Sequence, residues 1–270
     1  MPNYDFSYDP VTAISEDKAK GKTAEIFLDI RKTMHIPFIT SIWRGLASIE
    51  NSLEDIWSIS KPIYLTGTPE LALNNMINSI NLPKPPAINM KAFNHKDLHT
   101  IKEIIKVYNR SNGMNLMALS ALIKSEYKPR LSISIISPKE INANFPKLLD
   151  KDDISNTNWK CVKIVNSLGA PNGVSSHVAT LWRHLSYWPN FLNEVIHSFE
   201  KISMNGDIIN TQNEVLNYVN NNGINLKRQK FKYTYINNLA LETIRDYVNT
   251  NNQVIRMVVL GNIMKKWLEN

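Results

Sequence analysis

Apolar residues recur along this chain mostly at helical spacing. In "AKGKTAEIFLDIRKTMH" (19–35), Ala24, Phe27, Leu28 and Arg31 share one face, and Pro37 in the following "IPF" discourages continuation. "TGTPEL" (66–71) reads as a helix start, with Thr68 as cap and Pro69 in the first turn. "SPKE" (137–140) carries the same kind of start signal. A longer stripe steps through Ile101, Ile105, Tyr108, Asn112, Leu116, Leu119 and Ile123, and a second through Ala240, Ile244, Tyr247, Asn251, Ile255 and Val258. "LPKPPA" (82–87) reads as a loop, and the one strand-like stretch, "LSISIIS" (131–137), is too isolated to found a sheet. The pattern predicts an all-α protein.

The two stripes belong to a longer correspondence. "SIWRGL" (41–46) and "TLWRHL" (180–185) align at an offset of 139 residues, pairing Trp43 with Trp182, Arg44 with Arg183 and Leu46 with Leu185. The same offset pairs Leu53 with Leu192, Glu103 with Glu242, Ile105 with Ile244, Tyr108 with Tyr247 and Asn112 with Asn251. A shared register over this distance predicts an internal duplication. Its period exceeds the roughly 20–50 residues of a solenoid unit, so two copies packed as an intramolecular pseudo-dimer are expected. The expected division is a first helical repeat over 1–130, a connector over 131–158 and a second repeat over 159–270, forming one globular unit.

Both stripes place an asparagine on the apolar line. A buried amide without partners costs about 1–3 kcal/mol, so Asn112 and Asn251 must meet each other, a further polar group or a ligand. Gly113 beside Asn112 weakens the helix and leaves out a side chain, which makes the first copy the better place for a polar cavity.

Composition narrows the function classes. Hydrophobic residues make up 43% of the 270, enough for a packed core, and the sole cysteine, Cys161, excludes an internal disulfide and reads as a small buried hydrophobe. There is no apolar run long enough for a membrane span and no signal-peptide pattern at the N-terminus, so a cytoplasmic location is expected. The net charge of +7 is densest in "LKRQKFKYTY" (226–235). A solvated segment with inward-turned aromatics accounts for it, and no nucleic-acid-binding motif accompanies it. The six histidines form no metal-ligand pattern, and no phosphate loop, dinucleotide fingerprint or nucleophile elbow is present, so no metal or cofactor is expected.

"AEIFLDIRKTMHIPFITSIWRGLA", "TGTPE", "YNRSNGMNLMALSAL" and "LWRHLSYWPNFL" together resemble the group I DL-2-haloacid dehalogenases over most of the chain. The resemblance implies an all-helical pseudo-dimer with a site between its repeats. There an aspartate activates a water that displaces halide directly from the α-carbon of a small 2-halo acid. It places Asn112 on the asparagine that holds this water, Thr66 and Glu70 on a functional threonine and glutamate, and Phe38 on a pocket aromatic. Ser41 stands where a second aromatic is expected, and Thr180 where a serine precedes the aspartate. The aspartate's own position is Leu181, and no Asp or Glu occurs between Ile154 and Asn193.

Leucine cannot take a proton from water, so hydrolysis would need another base. Glu70 is the first candidate, although an acid in a first helical turn also simply complements the helix dipole. His177 and His184 flank Leu181 and are weaker candidates. Arg44 and Arg183 could meet a carboxylate, but their place one step off the apolar stripe suggests surface or interface positions. Two functions follow: a haloacid hydrolase using Asn112, Glu70 and Thr66, with Phe38, Ser41, Thr180 and Leu181 lining the substrate, or an inactive descendant that binds a small carboxylic acid or a protein. Homodimer formation is compatible with either.

Overall fold

The computed structural model describes residues 13–124, 127–129, 135–141, 143–171, 178–224, 228–230, 236–251 and 253–269. The helices are α1 (Gly21–Met34), α2 (Ser41–Leu46), α3 (Ser52–Leu65), α4 (Thr68–Ser79), α5 (His95–Lys124), α6 (Asn156–Ser167), α7 (Thr180–Leu185), α8 (Pro189–Met204), α9 (Asp207–Asn222), α10 (Asn238–Asn249) and α11 (Val254–Glu269). One antiparallel two-stranded ribbon pairs β1 (Tyr127–Pro129) with β2 (Arg228–Lys230). The expected all-α class holds, with this ribbon as its single addition among the described residues. No described helix is long and apolar enough to cross a membrane. The basic segment of 226–235 is described only at β2.

Two pairs of helices recur at one spacing. α2 and α7 start and end 139 residues apart, and α4 and α9 start 139 apart. α5 is the organising helix, packing on α3, α4, α7, α10 and α11. From Met114 to Leu122 every residue of α5 is buried.

Three expectations change. The second stripe is not one helix: it breaks between Asn249 and Val254, leaving Asn251 in a turn where it donates to Asn213 Oδ1 at 2.7 Å. Asn249, Thr250 and Asn251 are poor helix formers, and the Thr250 hydroxyl donates to the Asp246 carbonyl at 2.8 Å. "SPKE" is not helical, because this stretch supplies caps instead. The N–H groups of Ile135 and Ile136 donate to the Leu65 carbonyl at 2.8 and 2.9 Å, and that of Lys139 to the Lys32 carbonyl at 2.9 Å. They thereby satisfy the open C-terminal carbonyls of α3 and α1. The connector is also shorter than expected, since α6 begins at Asn156, where the Ser155 side chain caps it.

Two arginines close α1 and α6. Arg110 on α5 donates to the carbonyls of Met34, the last residue of α1, and of His35, which follows it. Arg256 on α11, fully buried, donates to the Asn166 carbonyl at the end of α6 and has its pKa pushed down to about 10 by burial. A guanidinium there meets both the orphan carbonyls and the negative end of the helix dipole.

Candidate functional site

A cavity of about 250 Å³ lies where α2, α5 and α7 meet the irregular segment that precedes α6. Its aromatic wall is built by Phe38, Tyr108 and Phe145. The ring centroids of Phe38 and Tyr108 are 4.6 Å apart, and those of Phe38 and His184 5.5 Å. Arg44 of α2 and Arg183 of α7 both line it, although they are only 4% and 1% exposed. The two arginines that align in the sequence are thus buried at one cavity rather than placed on the surface. Both guanidinium charges act on the Tyr108 hydroxyl, whose pKa burial nevertheless pushes up to about 12.

The proton positions around this wall are determined by the partners. His184 Nε2 lies 2.7 Å from the Pro146 carbonyl, which can only accept, so Nε2 carries the hydrogen. Burial, with Arg183 adding to it, holds the imidazole below its ordinary pKa and therefore neutral. Its Nδ1 is left as the acceptor for the Tyr108 hydroxyl at 3.4 Å, and Thr180 donates in turn to the tyrosine oxygen. The chain of donors runs Thr180 to Tyr108 to His184 to Pro146, from the first turn of α7 to the far wall.

That far wall is a strap without regular structure. Three donors pin it by its carbonyls: His184 to Pro146, the Tyr187 hydroxyl to Lys147 at 2.8 Å, and Arg183 Nε to Leu149 at 2.9 Å. Arg183 also reaches Asp150 Oδ1 at 2.9 Å, and Lys147 pairs with Asp17 at 3.6 Å. On the opposite side stands Glu16, whose Oε2 accepts the Ile39 N–H at 2.7 Å while Oε1 lies 3.3 Å from Arg31. Burial outweighs these stabilising partners and raises the Glu16 carboxyl above its ordinary pKa.

The residues singled out from sequence divide between this cavity and the packing around it. Phe38 lines the cavity and Thr180 hydrogen-bonds its tyrosine. Leu181 is 1% exposed and sits in the hydrophobic core. Ser41 is the half-buried first residue of α2. Asn112 is half-buried rather than on the core line; the buried asparagines of α5 are Asn109 and Asn115. Gly113 opens no cavity either, because Leu73 of α4 fills the space in front of it: an added Cβ would come within 2.9 Å of Leu73 Cγ. His177 lies outside the described residues. Cys161 is half-exposed, its Sγ 3.4 Å from Asn193 Oδ1. Among the described residues no cluster of three or more His, Cys, Asp or Glu is placed to hold a metal.

Thr66 and Glu70 serve the start of α4. The Thr66 hydroxyl donates to the Ile63 carbonyl at 2.6 Å and accepts the Thr68 N–H at 3.1 Å, so Thr66, not Thr68, is the side-chain cap. Glu70 grips Arg110 through two bonds, at 2.7 and 3.0 Å. This pairing holds its carboxyl below the ordinary pKa of 4.5. A depressed folded-state pKa contributes stability that is present above the unfolded value and lost as pH falls through the folded one. Glu70→Gln should therefore lower stability at pH 7 by about 1 kcal/mol, discounted for its partly exposed edge. Urea midpoints of variant and parent should converge as pH falls through the depressed folded-state value; a gap unchanged in acid would disprove the ion-pair account.

Comparison with known proteins rests on structure alone. No family model matches the chain, and no curated protein matches it in sequence. Among solved structures, a D-2-haloacid dehalogenase mutant superposes with a TM-score of 0.69 over 95% of both chains, at 12% identity. The chain has a haloacid dehalogenase-like fold. A D-2-haloacid dehalogenase mutant in complex with D-2-CPA gives 0.67 at 11% identity, and a D-2-haloacid dehalogenase in complex with L-LA gives 0.68 at 12%, each with 95% coverage of both chains. The haloacid dehalogenase-like fold thus persists at a sequence distance where few side chains are shared.

Proposed function

We propose that this haloacid dehalogenase-like chain binds a small carboxylic acid in the cavity between α2 and α7, and that it does so without the family's hydrolytic step. The observation that carries the reading is the meeting of Arg44, Arg183 and Tyr108 on one small aromatic-walled cavity. Guanidinium groups suit a carboxylate, and Phe38 and Phe145 suit a short apolar remainder. Complexes of a protein of this fold with D-2-CPA and with L-LA agree with that ligand class. The absence of hydrolysis follows from Leu181, which occupies the position that the resemblance gives to the water-activating aspartate, and from the commitment of Thr66 and Glu70 to the start of α4. A duplication packed as a pseudo-dimer is supported by the matching starts of α2 with α7 and α4 with α9.

The alternative is a working hydrolase, in which Asn112 would hold the water and a group other than Leu181 would take its proton. The two readings part on one experiment. Calorimetric binding and chloride release are measured with both enantiomers of 2-chloropropionate, for the parent, Arg44→Gln and Leu181→Asp. Binding by the parent without release, weakened about tenfold or more in Arg44→Gln, is the expected result. Release by the parent would establish the hydrolase; no binding of either enantiomer would overturn the small-acid reading.

A further inference from the structure

Glu16 is the one carboxylate on the cavity wall that burial holds above its ordinary pKa, and the small-acid reading gives it no part. It sits in the single turn Glu16–Lys18, ahead of α1, and nothing in the resemblance points to it. Resting on the small-acid reading, we propose that Glu16 is a ligand-contacting residue of this cavity, and that the acid enters together with one proton, which the Glu16 carboxyl holds against the bound carboxylate. The ligand class is then a small monocarboxylic acid taken up in its neutral stoichiometry: one carboxylate and one proton from solvent, with no bond made or broken beyond the proton's transfer to Glu16.

The geometry supports it in two ways. First, Glu16 is anchored and cannot swing away from an arriving anion. The Ile39 N–H, next to the pocket-lining Phe38, fixes Oε2 at 2.7 Å, and Arg31 stands 3.3 Å from Oε1. Second, Glu16 lines the same cavity of about 250 Å³ as Arg44, Arg183 and Tyr108, so an anion bound there shares one confined space with it. Two carboxylates so confined cannot both remain ionised cheaply, and sharing a proton between them is the usual outcome.

The other charges facing this space are largely engaged with one another. Arg31 comes from α1 and Arg44 from α2. Arg183 of α7 is paired with Asp150, and Asp17 of Glu16's own turn is paired with Lys147 of the strap. Tyr108 of α5 is held protonated by burial. His184 is neutral with both ring nitrogens engaged, which leaves Glu16 as the better place for an incoming proton.

The sign of the effect is fixed by linkage. A ligand that raises the Glu16 pKa binds with proton uptake between the free and the complexed value, and its affinity falls as pH rises through that window, by up to tenfold per unit. The test is titration calorimetry of D- and L-2-chloropropionate between pH 5 and pH 8, in buffers of different ionisation enthalpy. In the parent, uptake approaching one proton is expected within the window. In Glu16→Gln, whose amide oxygen can still accept the Ile39 N–H, binding should persist with no uptake and a flat pH profile. His184→Gln should retain the uptake. Zero uptake by the parent, or uptake unchanged in Glu16→Gln, would overturn the role of Glu16 while leaving small-acid binding in place. Absence of binding at every pH would instead remove the small-acid reading beneath it. The Glu16 carboxyl carbon, followed by NMR, should titrate at higher pH in saturating 2-chloropropionate than in its absence.

Discussion

Asn115→Leu should lose about 3–5 kcal/mol of stability in urea denaturation at pH 7, more than any other single change considered above. Asn115 is fully buried on α5, and its amide is the hub of a polar cluster that joins four helices. Oδ1 accepts from the Tyr64 hydroxyl of α3 at 2.9 Å and from Trp43 Nε1 of α2 at 3.3 Å. Nδ2 donates to Thr40 Oγ1, ahead of α2, at 3.0 Å, and the Tyr247 hydroxyl of α10 turns toward the same amide. Leucine matches the amide in size but leaves two donors and a hydroxyl oxygen buried with nothing to meet, at about 1–3 kcal/mol each. Asn115→Asp is a useful companion. Its carboxylate keeps both acceptor bonds while losing the donation to Thr40, so it should recover stability only as pH falls and the group protonates. A loss below about 1 kcal/mol for Asn115→Leu would mean that the cluster does not hold these helices together.

Gly261→Ala should cost about 2–4 kcal/mol through the close crossing of α5 and α11. A Cβ on Gly261 would strike the Asn109 amide, with Asn109 Cγ at 2.8 Å and Oδ1 nearer still. The same amide donates to the Gly261 carbonyl at 2.7 Å. Overpacking and a lost hydrogen bond therefore act together, and truncating the asparagine should relieve the first of them. Asn109→Ala combined with Gly261→Ala should be more stable than Gly261→Ala alone, a coupling characteristic of residues in contact. Additive losses in this double-mutant cycle would place the strain elsewhere.

The sequence made the helical class and the main helix starts legible, because period, caps and prolines are local signals, whereas Phe38 was pointed to only by the family resemblance. It misjudged which asparagine of α5 is buried for a geometric reason. Stepping by four from Tyr108 to Asn112 drifts about 40° round the helix, whereas seven residues bring Asn115 back to within about 20° of the Tyr108 face. A stripe argument also presumes one buried face, and the second half of α5 is buried all round because five helices pack on α5. Arg44 and Arg183 were visible as a matched pair, but a single helix face cannot show that a strap from elsewhere in the chain covers them. Glu16 gave no signal at all: an isolated acid near the N-terminus acquires its character only from Ile39, Arg31 and the cavity beside it. The break after Asn249 was written in four consecutive poor helix formers, and the apolar spacing on either side concealed it.

The strap at Pro146–Asp150 has a bearing on the history of the molecule. On the proposed duplication, it belongs to neither copy, for it is the joint between them. An ancestor made of two separate, identical chains would have brought together the equivalents of Arg44 and Arg183 across a true two-fold axis, yet with no covering segment tethered between them. Such an assembly would have held an open, symmetric, doubly cationic cleft. Fusion of two such copies would have supplied a one-sided cover and a single set of anchors in Arg183, His184 and Tyr187. The two arginines would from then on have been inequivalent, each free to diverge under a different selection.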